Sequence, residues 1–237
     1  MTVSNESRDR VKGVFEPIAL AMGRAGLTPD ALTLIGFAIT VVGAILLSQQ
    51  LWLIGGMVVL IGGVFDMFDG TLARATGQVS RLGAFMDSVF DRWGEAIVYL
   101  GIVVGCSFAP FVEGAVLAAA AMGAAFMVSY TRAKSEGLGF TAGAGMAAVG
   151  IMPREARLAI LSLGLIVAGL VGGVGWYPVP AGEMRIDDPL RAGSIPLLMA
   201  LGGITVGATI TTIQRILHVR SQARQQASTT NPSETNT

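Results

Sequence analysis

An all-α integral membrane protein of six transmembrane helices is the architecture expected of this chain, and three observations lead to it. Apolar runs of about 15–23 residues recur from one end to the other, close to the ~20 needed to cross a ~30 Å hydrocarbon layer as helix. The 237 residues are 52% hydrophobic and only 14% charged, against roughly 25% charged for a soluble domain. The Lys and Arg residues fall on alternating connections between the runs, as the positive-inside bias of membrane helices requires. Isolated strands would leave backbone polar groups unsatisfied in lipid, so the spans are helical.

The elements follow in order. Residues 1–30 form a juxtamembrane segment of mixed charge, without the early apolar core and cleavage site of a signal peptide. Within it, residues 10–25 alternate basic and apolar positions. An N-terminal amphipathic helix lying on the membrane surface suits that pattern, although Gly13 and Pro17 oppose it. Residues 31–220 form the six-helix domain. Its apolar runs are 31–48, 51–65, 96–112, 114–131, 158–177 and 192–214. From Ser221 the chain turns polar, "SQARQQASTTNPSETNT", and reads as a disordered tail. The lone Cys106 lies in a span and reads as a small apolar core residue. The lone His218 follows the last span and reads as solvated. A net charge of zero carries no nucleic-acid signature.

Basic residues orient the bundle. Fourteen of the 16 Lys and Arg lie at the two termini, at the connection between the second and third spans, or at that between the fourth and fifth. Only Arg185 and Arg191 lie on the opposite side. Both termini are therefore expected in the cytoplasm, which agrees with an even number of spans.

One window breaks the apolar pattern: "FDMFDGTLARATGQVSRLGAFMDSVFDR", residues 65–92, with Asp66, Asp69, Asp87 and Asp91. At ~1.5 Å per residue from Leu51, Asp66 lies roughly 22 Å into the second span, short of its inner edge. The third span starts near Gly83, and Asp87 and Asp91 follow in its first turns. Each pair shares one helix stripe, at i,i+3 and i,i+4. Two antiparallel neighbours joined by a short loop would aim four carboxylates at one point. Four like charges in a half-buried site require cations. Oxygen donors without His or Cys select hard ions such as Mg²⁺, Mn²⁺ or Ca²⁺, and four carboxylates suit a pair of ions at a phosphoryl centre. Solvated loop acids are the bland alternative. Ionisable residues within a membrane, however, usually mark function.

The window reads Asp66-x2-Asp69-Gly70-x2-Ala73-Arg74-x8-Gly83-x3-Asp87-x3-Asp91. At all eight fixed positions it resembles the signature of the CDP-alcohol phosphotransferases, and the likeness to a six-span bundle extends over the whole chain. With each residue type at about one in 10–20 by usage, a chance match is very improbable. The resemblance implies transfer of a phosphatidyl-type group from CDP-diacylglycerol to an alcohol, with release of CMP, in the cell membrane with the active site facing the cytoplasm. By it, Asp66, Asp69 and Asp87 bind two ions, Mg²⁺ or Mn²⁺. Asp91 is the general base and also touches a metal. Gly70 and Ala73 let the nucleotide approach the helix, or serve close helix packing. Arg74 pairs with the diphosphate, or anchors its span. Gly83 joins the nucleotide site, or only permits close packing. Asp30 and Thr33, in "LTPDALT", resemble a family segment near the nucleotide. Asp30 would equally serve as an N-cap. The family also implies a homodimer, and the small-residue run "AAAAMGAAF" (118–126) permits close helix contact.

Three further segments resemble the bacterial phosphatidylinositol-phosphate synthases and their archaeal relatives: "SYTRAKSEG", "PREARLAI" and "TTIQRILHVR". They bring Arg132, Arg154, Arg157 and Arg215 to the cytoplasmic end. Matched residue by residue, Arg132, Arg157 and Arg215 would bind an acceptor phosphate, with Arg154 on the same stripe as Arg157. Positive-inside bias is the plainer account of the same arginines. The fourth-span residue is often Lys in those relatives and is Arg132 here. The expected acceptor is inositol 1-phosphate. The alternatives are glycerol 3-phosphate, which would make the protein a phosphatidylglycerol-phosphate synthase, or another acceptor of the CDP-alcohol phosphotransferases. An ion- or proton-coupled transporter is a remote reading that leaves Gly70, Ala73, Arg74 and Gly83 unexplained.

Overall fold

A computed structural model describes residues 5–140, 149–175 and 190–230. The described residues hold seven α-helices: α1 (Asn5–Arg24), α2 (Pro29–Ser48), α3 (Trp52–Thr76), α4 (Arg81–Phe108), α5 (Val112–Gly137), α6 (Arg154–Leu170) and α7 (Ser194–Thr230). Four of them are long and apolar enough to cross a membrane: α2, α3, α5 and the Ser194–Gln226 part of α7. α4 is longer than the apolar run 96–112, because it begins well before that run with a stretch that carries Asp87, Asp91, Arg92 and Glu95. α6 has only 17 residues.

Local chemistry sets the boundaries. Thr28 caps α2 by accepting the Ala31 N–H at 3.2 Å, and Pro29 sits in the first turn, where its missing N–H costs nothing. Asp30 falls in that first turn, so the cap role belongs to Thr28 instead. α3 stops where Gly77 turns left-handed at φ +68°, a conformation glycine adopts without a Cβ clash. Ser80 then caps α4 by accepting the Gly83 N–H at 2.9 Å.

α3 and α4 are joined by a short connection, yet they do not pack along each other. Both pack on α2. The packing pairs close a ring: α2 on α3, α3 on α6, α6 on α7, α7 on α5, α5 on α4, and α4 on α2. The expectation of directly neighbouring antiparallel helices is thus corrected: α2 stands between the two acid-bearing helices. Small residues make the approach possible. A Cβ at Gly62 would lie 2.4 Å from Thr40 Oγ1 and 3.3 Å from the Gly36 carbonyl, so α2 and α3 meet almost backbone to backbone beside Asp66.

α1 packs on α3 through a small cluster of Ala19, Leu32, Phe68 and Leu72, with the Phe15 ring tilted against Phe68 at 5.2 Å between centroids. The main core includes Leu47, Trp52, Ile102, Leu165 and Leu201. Cys106 is buried there, as its apolar surroundings suggested. The polar tail also departs from expectation. α7 continues as helix through Ser221 to Thr230, and residues 231–237 lie outside the described residues. Arg185 and most of the loop before Val149 are likewise outside them.

Candidate active site

The acids converge, although from helices that do not touch along their length. One carboxylate oxygen each from Asp66, Asp69 and Asp87 lies within 4.8 Å of the others. Asp69 is the most buried, at 6% exposure. Both its oxygens are held: Oδ2 accepts the Thr33 hydroxyl and Oδ1 accepts the Gly70 N–H. Thr33 thereby joins α2 to the site. Among the described residues, Asp69 and Asp87 have no ion-pair partner, so the cluster carries uncompensated negative charge. All three ligand atoms are oxygens, the donor set that suits a hard divalent ion.

Asp91 lies outside this triad. Arg154, the first residue of α6, bridges it to Asp66: Nη1 donates to Asp66 Oδ2 at 2.7 Å, and Nη2 lies 2.7 Å from Asp91 Oδ1. Arg92 adds a weaker contact to Asp91 Oδ2 at 3.5 Å and donates to the Ser129 hydroxyl.

Two cavities meet here. A groove of about 1030 Å³ runs between α1, α3 and α6, past Leu60, Val64, Met67, Gly70 and Arg74. A second cavity, of about 740 Å³, is lined by Arg92, Arg132, Arg154, Arg157 and Arg215. Asp87, Asp91, Arg154 and Glu155 line both. One space is walled by apolar side chains and ends at carboxylates. The other is rich in guanidinium. The acids stand where the two join.

The expected arginines are all present in the second cavity, with different commitments. Arg132 is half exposed and pairs with Glu136 at 3.0 Å. Arg215 is 4% exposed and donates to the carbonyls of Val149 and Val128. Arg157 is 1% exposed and forks onto Glu95. Asp30, Ala73 and Gly83 line neither cavity. The Gly83 N–H serves the α4 cap, and a Cβ at Gly83 would sit 3.5 Å from Asp30 Oδ1.

Glu95, Arg92 and Ser129 are site residues that sequence reading passed over. Glu95 had a signal: a charge at i,i+4 from Asp91 inside a membrane helix. Ser129 had none. A smaller cavity of about 50 Å³ lies beside Asp66, Glu95 and Arg157, and the buried Tyr99 hydroxyl in its wall has no hydrogen-bond partner.

Comparison with known proteins follows the same lines. The family described as CDP-alcohol phosphatidyltransferase matches residues 26–179. The archaetidylinositol phosphate synthase of Pyrococcus horikoshii is 35% identical over 167 residues, covering 70% of this chain and 84% of that protein. The phosphatidylinositol phosphate synthase of Cutibacterium acnes is 34% identical over 213 residues, covering 87% and 92%. Crystal structures of the phosphatidylinositol phosphate synthase of Mycobacterium tuberculosis share the fold. With CDP-DAG bound, the TM-score is 0.69 at 26% identity, covering 87% of this chain and 93% of that one. In complex with manganese and citrate it is 0.68 at 28% identity, covering 86% and 88%.

Proposed function

We propose that this chain, which belongs to the CDP-alcohol phosphatidyltransferase family, transfers a phosphatidyl group from CDP-diacylglycerol to inositol 1-phosphate, giving phosphatidylinositol phosphate and CMP. The observation that carries this reading is the meeting of the two cavities at Asp87 and Asp91. A lipid-linked diphosphate needs apolar walls beside a cation site. A phosphorylated alcohol needs guanidinium groups. Both spaces must open on the reacting phosphorus.

Asp66, Asp69 and Asp87 would hold the metal, Mg²⁺ or Mn²⁺, with Asp91 completing the site for a second ion. Bound there, the ions would neutralise the diphosphate and stabilise the departing CMP. Gly70 and Arg74 face the groove assigned to the CDP-lipid, with Arg74 free to pair with a phosphate oxygen. Thr33 acts on this site through Asp69. Asp30, Ala73 and Gly83 belong to the surrounding helix ends. In the other cavity, Arg132, Arg154, Arg157 and Arg215 receive the acceptor phosphate. Asp91 takes the proton of the acceptor hydroxyl. The acceptor oxygen bonds to the lipid-bearing phosphorus, and the P–O bond to CMP breaks.

The protein is a membrane protein, and α2 to α7 are read as its six spans. The charges of α4 face the site rather than lipid, and the 17 residues of α6 extend ~26 Å. α1 would lie at the surface of the cytoplasmic membrane, with both termini and the active site in the cytoplasm. A membrane-impermeant thiol reagent should reach a cysteine placed at Ser221 only from that side. Assembly as a homodimer belongs to the same reading, and crosslinking in native membranes tests it.

The direct test is an acceptor panel. Purified protein with CDP-diacylglycerol and Mg²⁺ should release CMP on addition of inositol 1-phosphate. Glycerol 3-phosphate and free inositol should be poor substitutes. Preference for glycerol 3-phosphate would reassign the acceptor, and preference for free inositol would make the arginines structural.

A further inference from the structure

Glu95 stands one turn beyond Asp91 on α4 and is not part of the carboxylate triad. Its two oxygens accept a fork from Arg157: Nε to Oε1 at 2.8 Å and Nη2 to Oε2 at 2.9 Å. Nη1 of Arg157 donates to the Met152 carbonyl at 3.2 Å. A guanidinium has five N–H donors in a rigid plane. Three are used here, and two remain, one on each Nη. Arg157 is 1% exposed and lines both the guanidinium-rich cavity and the small cavity beside Tyr99. Oε2 of Glu95 also lies 3.9 Å from Nη1 of Arg92, the residue that contacts both Asp91 and Ser129.

A buried ion pair is a poor device for stability, since apolar side chains of similar volume often do as well. It is a good device for fixing orientation, because a bidentate fork leaves a guanidinium little freedom. We propose that Glu95 is a positioning residue for the acceptor: it clamps Arg157 from behind, so that the two unused N–H groups are presented to the acceptor phosphate. Glu95 itself touches no substrate. This rests on the reading of the second cavity as the acceptor's.

The test is a double-mutant cycle on the full-length protein in nanodiscs, with Glu95→Gln, Arg157→Gln and the double variant. Glu95→Gln should raise KM for inositol 1-phosphate by about tenfold or more, as loss of an oriented charged contact does. KM for CDP-diacylglycerol should stay within about twofold, and kcat should fall far less than kcat/KM. In the Arg157→Gln background, Glu95→Gln should add less than about twofold, because the two act as a unit. A strut between α4 and α6 would also couple the two positions, but it would lower thermal stability and weaken both substrates alike, and that overturns the proposal. If Glu95→Gln alone does not fold, the double variant is compared with Arg157→Gln, since neither leaves a buried carboxylate without its charge balance through Arg92. Equal KM values for inositol 1-phosphate, raised above wild type while KM for CDP-diacylglycerol and the thermal stability are unchanged, sustain the proposal; a further rise in the double variant, or a rise in both KM values alike, refutes it. If glycerol 3-phosphate proves to be the acceptor, the cycle is run with it. A rise in KM confined to the acceptor then still decides the role of Glu95, separately from the identity of the acceptor.

Discussion

The Thr33 hydroxyl and the Gly70 N–H hold both oxygens of Asp69 before any ion arrives. Such outer partners orient ligands and commonly set metal affinity within a factor of 10–100. Thr33→Val keeps the volume and removes the donor. Mn²⁺ affinity, followed by electron paramagnetic resonance, should fall by about tenfold, and unchanged affinity would mean that the Thr33 hydroxyl does not orient Asp69 as a ligand. Asp91 has a different environment, outside the triad and against Arg154. Asp91→Asn should cost about 10²–10⁴-fold in kcat, as loss of a general base does, with binding of CDP-diacylglycerol largely retained. CMP release at the wild-type rate would refute the role. The four aspartates were legible in sequence because i,i+3 and i,i+4 spacing is a local property. Arg154 bridging Asp66 and Asp91 was not legible, because that contact spans 88 positions to Asp66 and depends on how α6 leans on α3.

At the level of helices, apolar runs marked the four helices long and apolar enough to cross a membrane, but misjudged helix ends where charge intrudes. α3 runs on to Thr76 and α4 begins at Arg81, since acids that face a site rather than lipid do not stop a helix. Connection length was a weaker guide to neighbours. A short turn joins α3 to α4, yet both settle on α2, where glycines allow the closest approach. That contact sets the position of Asp66. Gly62→Leu would drive side-chain atoms into Thr40 and the Gly36 backbone, at a cost of about 1–3 kcal/mol for overpacking. Thermal unfolding in detergent should occur several degrees lower, and activity should fall with it. A stable and fully active variant would mean that α2 and α3 need not approach so closely. The acids also gather at one end of the helices and adjoin a groove, an arrangement that serves a bound diphosphate better than the mid-membrane path of a transporter.

On the scale of the molecule, the six helices α2 to α7 close a ring, and the two cavities open from its acid-bearing end. One cavity has mainly apolar walls and the other is rich in guanidinium, which suits the lipid-linked and phosphorylated substrates proposed for them. α7, at 37 residues and ~55 Å, is far longer than a bilayer requires. Its length contradicts a tail that composition alone made look unstructured, because polar residues with good helix propensity continue a helix already nucleated within the membrane. The ring order was not readable from sequence, since it rests on pairings between distant helices. The reaction was readable, since the signature is contiguous. The most direct measurement of the central claim is mass spectrometry of the lipid product after incubation with CDP-diacylglycerol, Mg²⁺, inositol 1-phosphate and glycerol 3-phosphate together. The account predicts phosphatidylinositol phosphate formed in step with CMP. Phosphatidylglycerol phosphate as the main product, or CMP released without a new lipid, would contradict it.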